Sequence, residues 1–504
     1  MARLQASNSE DSDLTAPEAV PARQPDSDTG IDVRRRVPPA PEGTGRLRWI
    51  GPGLLWMLSA VGAGSVLFTP RIGSQYEYEL LWIPLVIFVF MWVMIREAAR
   101  YTVVSGRTLL DGYDRLPGPR GWAVWLIFLP QLIAAVVAIG GLAALVGSAL
   151  MISFPGSQIA YTVTAILLSA ALVITGKYPG VEKVSQVLAC GLMLTIVVAA
   201  AQVFPHPGRF IAGLAPGFPE NSDIYFILPW VGYILAGAIG ITWFSYWTAT
   251  RGYGGGVAGI TESPEPQGLQ NDSTAADASV RDRRIHDWLR ITSATAAVGV
   301  IAGAFVILSF LVLGTELLAP ADIFPEGIEV ARLLSHLLVD IWGRAGFWVL
   351  ILAIVVALGG SILANQDGWG RTFADATLIL NRHRPRHGLP MKSVFEGFNA
   401  AMPVDLTDWP TLKNAYILVI TTVLPILLVL VVRDPVEILS VAGIIAAAHT
   451  PVIVFLTLYL NRTRLPAAFR PGIAATTLMV VSGLFYGGLA IVQVWAIIRI
   501  AVGA

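Results

Sequence analysis

The stretch SAVGAGSVLFT, Ser59–Thr69, lies midway along an uncharged apolar run and carries two glycines with small neighbours. An apolar helix does not need so many small residues. Either they let another helix pack closely against the run, or they interrupt the helix where something binds. A second run of the same kind, Gly232, Gly237 and Gly240 followed by Thr242, Ser245 and Tyr246, lies about five apolar spans later. The reading of these two stretches decides the architecture.

The surroundings of both stretches point to a lipid bilayer. The chain has 504 residues, of which 55% are hydrophobic and 13% charged, about half the charged fraction of a soluble domain. A formal net charge of zero makes nucleic acid an improbable partner. The single cysteine, Cys190, excludes a disulfide framework and a cysteine-rich metal site. The first 48 residues are rich in Pro, Asp, Ser and Arg. They read as a disordered cytoplasmic tail without the apolar core of a signal peptide.

A membrane span needs about 20 mostly apolar residues. Charge-poor runs place spans near 49–70, 79–104, 182–204, 224–250, 291–315, 345–366, 413–432, 436–460 and 471–498. The uncharged stretch from Gly121 to Gly176 holds two more, divided at SFPGSQ, Ser153–Gln158. Eleven spans put the termini on opposite sides. Arginine and lysine accumulate after every even-numbered span: Arg107, Arg115 and Arg120; Lys177 and Lys183; Arg281, Arg283, Arg284 and Arg290; Arg382, Arg384 and Arg386; Arg462, Arg464 and Arg470. This places the amino terminus in the cytoplasm and the carboxy terminus outside a plasma membrane. The divisions expected are a first half plus span six over 49–250, a polar cytoplasmic loop over 251–290, and spans seven to eleven over 291–504.

An inverted five-plus-five repeat would make spans one and six equivalent, each broken at the midplane with free helix ends for a ligand. The backbone and side chains of Gly62, Ala63, Gly64 and Ser65, with Ala238, Ile241, Thr242 and Tyr246, are then the candidate substrate contacts. Polar residues inside spans are further candidates. His449 is either a proton acceptor or a histidine bonding a neighbouring helix. Asp367 and Arg371 stand four apart in ANQDGWGRTFAD, on one helix face. They read as a structural or gating ion pair near the cytoplasmic side rather than as substrate ligands. Spans one and six contain no Asp, Glu, His or Cys, so a dehydrated divalent cation lacks its usual ligands there. No zinc-protease, nucleophile-elbow or phosphate-loop motif is present. The chain does not read as an enzyme, and no cofactor is expected.

Four segments resemble the natural resistance-associated macrophage protein family of proton-coupled divalent-metal transporters. They are GPGLLWMLSAVGAGS, ARYTVVSGRTLLDGY, YPGVEKVSQVLACGLMLTI and EILSVAGIIAAAHTPVIVFLTLYLNRTR, in that order. The resemblance covers about residues 49–500. It implies an all-α integral membrane fold of the amino-acid-permease type, with eleven helices and broken helices 1 and 6. It also implies alternating access around a central site. The family's Asp-Pro-Gly-Asn break matches Gly62, Ala63, Gly64 and Ser65. Its Met-Pro-His matches Ile241, Thr242 and Trp243, its carbonyl-donating alanine Ala238, and its tenth-span glutamine His449. The acidic residues of its third span fall around Gly141 and Ala144. The usual metal ligands are therefore replaced. Three uses of the scaffold stay open: a metal cation transporter with an altered site, a transporter of a small non-metal solute, and a non-transporting sensor. Protons enter as partners if His449 accepts them.

Overall fold

Leu, Ile, Val and Ala runs without charge form helices here because a chain in hydrocarbon must satisfy its backbone polar groups within each segment. The computed structural model describes residues 37–60, 62, 64–176, 178–204, 207–220, 222–235, 237–257, 275–327, 330–382 and 408–502. Ala63 and residues 258–274 of the 251–290 loop lie outside the described residues. Among those described, all regular structure is helical.

The longer helices are α1 (Gly51–Ala60), α2 (Thr69–Tyr76), α3 (Trp82–Ser105), α4 (Trp122–Ser153), α5 (Gln158–Ile174), α6 (Tyr178–Gln202), α7 (Ile224–Tyr233) and α8 (Gly237–Thr250). They continue with α9 (Ala275–Leu313), α10 (Val330–Ala353), α11 (Gly359–Arg382), α12 (Trp409–Leu418), α13 (Leu424–Val431), α14 (Pro435–Arg464) and α15 (Ile473–Val502). Eight helical stretches of the described chain are long and apolar enough to cross a membrane, and two shorter apolar ones accompany them. Large apolar side chains stand exposed on the outer faces, among them Ile133, Leu168, Leu194, Phe305, Leu427 and Leu484. Such a surface suits lipid and not water. The protein is a multi-pass membrane protein.

Helix contacts sort the bundle into two groups. In the first, α3 packs on α8 and α9, α1 packs on α9 and α8, and α2 packs against the end of α9. In the second, α4 packs on α5, α11 and α13, while α11 packs on α12 and α5. Gln366 ties this second group internally: it accepts from Ser169 at 2.5 Å and donates to the Thr421 carbonyl at 2.8 Å. Helix α14 runs between the groups, against α4 on one side and α7 and α8 on the other.

Glycine makes that last contact possible. A Cβ at Gly443 of α14 would lie 2.5 Å from the Pro229 carbonyl oxygen and 2.7 Å from Tyr233 Cδ2. At the end of α3, Glu97 is fully buried between Arg96 at 2.8 Å and Arg100 at 2.5 Å. Its backbone carbonyl accepts from Asn461 of α14 at 2.8 Å.

Two boundaries differ from the sequence expectation. Helix α9 begins at Ala275, well before the apolar run at 291, because its polar first turns continue the helix beyond the hydrocarbon. Residues 37–48, expected within a disordered tail, are folded. The Val37 and Pro38 carbonyls accept from Arg284 at 2.9 Å and Trp288 at 2.9 Å, and Gly43–Trp49 forms a 3-10 helix. Trp49 then packs edge-on against Tyr253 and Trp288, with ring centroids 5.3 and 4.6 Å apart. Composition alone misses this, because the anchoring side chains belong to α9 and not to the segment itself.

Candidate functional site

Helix α1 ends at Ala60, and helical structure resumes at Gly64 as one wide turn, Gly64–Phe68, that leads into α2. Helix α7 ends at Tyr233. Beyond it Leu235 has φ 57° and Gly237 φ 59°, and α8 starts at Gly237. A positive φ is uncommon for leucine, and Leu235 holds it while fully buried. Each helix end leaves backbone groups without an intrahelical partner.

Cross-ties join the two interrupted segments into one unit. Trp56 of α1 donates to the Gly240 carbonyl of α8 at 3.0 Å. Thr69 donates to the Gly64 carbonyl at 2.8 Å and accepts from Trp230 of α7 at 3.0 Å.

Between the helix ends lies a cavity of about 70 Å³. The first helix group supplies Ser59, Ala60, Gly62, Tyr233, Gly237, Ala238, Ile239 and Trp243 to its wall. The second supplies Gln131, Ala134, Ala138, Leu142, Ser361, Asn365 and Trp369, and α14 adds Ala442 and Ala446. The cavity thus sits on the seam between the groups. Its described lining contains no charged side chain. Among the described residues there is also no group of three or more His, Cys, Asp or Glu placed to hold a metal ion.

The residues singled out in the sequence take different places. Gly62 and Ala238 line the cavity. Gly64 does not: a Cβ there would stand 2.5 Å from the Tyr233 carbonyl oxygen, so it serves close packing. Ser65 is buried behind the wall, its hydroxyl without a partner. Ile241 is buried, and Thr242 returns its hydroxyl to the Ile239 carbonyl at 2.7 Å. Tyr246 reaches Asp375 of α11. Asp367 binds Arg371 at 2.7 Å and also Lys413 of α12 at 2.6 Å, so the pair is a trio.

His449 stands one step behind the wall. Its Nε2 faces the Leu126 carbonyl at 3.2 Å, which requires a proton on that nitrogen. Nδ1 then accepts from the Gln131 amide at 2.8 Å. The Gln131 oxygen in turn accepts from the Trp369 indole at 3.3 Å. A three-residue chain therefore runs from His449 to an aromatic face of the cavity.

Among the lining residues that the sequence reading did not single out are Tyr233, Ser361, Asn365 and Trp369. The last three were legible. Ser361, Asn365 and Trp369 stand four apart, which puts them on one helical face, as do Ala134 and Ala138 on α4 and Ala442 and Ala446 on α14. Tyr233 had no such signal, because its position depends on where α7 stops. Trp243 meets Trp369 across the cavity with ring centroids 5.4 Å apart at 73°.

Comparison with known proteins places this geometry. Residues 53–383, more than half of the chain, match the family described as natural resistance-associated macrophage protein-like. An uncharacterized protein of Pasteurella multocida is 29% identical over 196 residues, 37% of this chain and 42% of that protein. The divalent metal cation transporter MntH of Listeria monocytogenes is 27% identical over 198 residues, 38% of this chain and 42% of that one. Each alignment thus spans less than half of the relative. Among solved structures, a point mutant of the Eremococcus coleocola manganese transporter superposes with a TM-score of 0.63 at 12% identity, covering 92% of this chain and 90% of that one. MhsT in complex with L-phenylalanine gives a TM-score of 0.50 at 15% identity, covering 89% and 98%. At these identities the structural likeness speaks for the fold alone.

Proposed function

The chain belongs to the natural resistance-associated macrophage protein-like family, and from that premise we propose that it is a secondary membrane transporter working by alternating access. The observation that carries the reading is the position of the cavity. It lies on the seam between two helix groups, where two helices stop and restart. Movement of one group against the other would open such a cavity to each side in turn.

In this reading the chain has eleven spans in two inverted halves. The segments α1–α2 and α7–α8 are broken spans one and six, and α15 follows the second half. The amino terminus is cytoplasmic and the carboxy terminus extracytoplasmic, as the arginine distribution favours. The Asp367–Arg371–Lys413 trio helps close the inner side. The His449–Gln131–Trp369 chain supports a coupling role for His449, because a proton added at Nδ1 would face the Gln131 amide donor and disturb the bond to Trp369.

The cargo is a small solute or a cation. MntH is a divalent metal cation transporter by name, and the family favours a cation here too. A dehydrated divalent ion wants several strong oxygen ligands, whereas this wall offers amide, hydroxyl and backbone oxygens only. A metal would therefore travel with much of its water. The test of transport does not need the cargo. In a Cys190→Ser background, Ala138→Cys is exposed to a membrane-impermeant thiol reagent from each side of oriented vesicles. Labelling from both sides is expected. Labelling from one side only, or from neither, refutes alternating access.

A further inference from the structure

We propose that the cargo is a small uncharged organic molecule carrying both a hydrogen-bond donor and an acceptor, of which a primary carboxamide is the simplest. This rests on the transporter reading and narrows it. The argument begins with charge. A fully charged cargo stripped of water needs an opposite charge or metal-grade ligands, and no charged side chain lines the described wall. The ionic groups nearest in sequence are already committed: Asp367 is shared by Arg371 and Lys413.

What the wall offers instead is neutral and only partly used. The Tyr233 hydroxyl is buried without a partner, and a buried phenol normally finds one. The Asn365 amide, with a donor and an acceptor edge, has no hydrogen-bond partner among the described residues. Ser59 and Ser361 donate to the Trp56 and Ala357 carbonyls at 2.8 and 2.9 Å, which leaves their oxygens free to accept.

Trp243 and Trp369 contribute surface rather than hydrogen bonds. Their indole N–H groups are spent on Thr372 at 3.2 Å and Gln131 at 3.3 Å. The cavity's 70 Å³ corresponds to roughly five water-sized centres, at about 10–15 Å³ each. A flat group of that size, stacked on an indole and bridging Asn365 to the Tyr233 hydroxyl, satisfies each idle atom without importing charge.

The test uses the full chain in lipid nanodiscs and saturation-transfer NMR, with acetamide, propionamide and benzamide as probes. Acetate and methylammonium are charged controls read in the same way, and Mn²⁺, which has no protons, is read by the electron paramagnetic resonance signal of the free ion. Saturable binding of at least one amide is expected, with at least tenfold preference over each control. Tyr233→Phe, which removes one oxygen, and Asn365→Leu should each weaken it about tenfold. Asn365→Asp, nearly the same shape, should reverse the preference toward methylammonium.

Preference of the unaltered protein for Mn²⁺, acetate or methylammonium overturns the proposal. So does saturable binding of none of the amides. Amide binding that is unmoved in both Tyr233→Phe and Asn365→Leu places the ligand elsewhere and also overturns it. If the amides fail while Ala138→Cys is still labelled from both sides, the cargo class falls and the transporter reading stands. If they bind while labelling is one-sided, the reverse holds.

Discussion

Gly64→Ala separates packing from binding in the stretch SAVGAGS. An added Cβ would lie 2.5 Å from the Tyr233 carbonyl oxygen and 2.7 Å from Tyr233 Cβ. The obstacle is backbone and cannot swing aside. To reach ordinary contact at 3.4 Å the two segments must part by about 0.9 Å. That parting strains the Phe68–Tyr233 stack, whose rings lie 5.5 Å apart at 16°, and the Thr69–Trp230 bond. Overpacking of this kind costs about 1–3 kcal/mol. Alanine returns about 0.5–1 kcal/mol in a helical turn, so a net loss of about 1–2 kcal/mol is expected. Thermal unfolding of the purified protein in detergent, followed by tryptophan fluorescence, should show a fall of roughly 1–4 °C. Gly62→Ala is the matched control, because its Cβ would meet the Ser361 hydroxyl at an unstrained 3.7 Å. It should leave unfolding unchanged and narrow the cavity by one methyl. If Gly64→Ala unfolds at or above the temperature of the parent, or if Gly62→Ala is the more damaging of the two, the division of roles is wrong.

Three further perturbations have defined outcomes. Asp367→Asn leaves Lys413, whose side chain is 12% exposed, without the carboxylate it binds at 2.6 Å. A loss of about 2–5 kcal/mol is expected, largely recovered when Lys413→Met is added, as chemical unfolding of the single and double variants would read. Gln131→Leu strands His449 Nδ1 and the Trp369 indole together, at about 1–3 kcal/mol for each orphaned group. The variant should also shift Trp369 emission, and unchanged emission argues against the His449–Gln131–Trp369 chain. Glu97→Gln takes the negative charge from a fully buried site between Arg96 and Arg100. It should cost about 3–5 kcal/mol and cut the yield of folded protein, with chromatographic monodispersity as the measure.

The helices were legible in the sequence because hydrocarbon imposes one solution on the backbone, and apolar runs advertise it. The small residues near Gly62 and Gly237 marked both places, but the sequence alone left close packing and interruption equally open, because glycine serves either. The wall of the cavity was not legible. Gly64, Ile241 and Thr242 are one or two positions from lining residues, yet they face packed protein. In a helix each step turns the side chain by about 100°, so a motif aligned to within one residue does not say which side chain faces inward. The contribution of α11 was missed because ANQDGWGRTFAD drew attention to its charges. The uncharged Ser361, Asn365 and Trp369 on their own four-residue repeat reach the cavity. Lys413 joins Asp367 only through the packing of α12 on α11, which no local pattern encodes.

The hydrogen bonds that tie the amino-terminal segment to the helices are accepted by its carbonyls, while Val37 and Trp49 add side-chain packing. Val37 and Pro38 accept from Arg284 and Trp288, Arg48 from Arg251, and Trp49 from Tyr253 and Thr295. Every residue type offers the same carbonyl, so the hydrogen-bonded part of the attachment is written in the receiving helix and the turn after α8. Apart from Val37, which is buried in the core, Ala40, which packs against it, Gly43, whose φ is 54°, and Trp49, whose ring is part of the contact, residues 37–49 are free to drift in sequence while the attachment persists. Substitutions at Arg284, Trp288 or Tyr253 would release the segment without altering a letter of it. A comparison of diverged chains would then find a segment that keeps only those few positions, seated on an unchanging bracket.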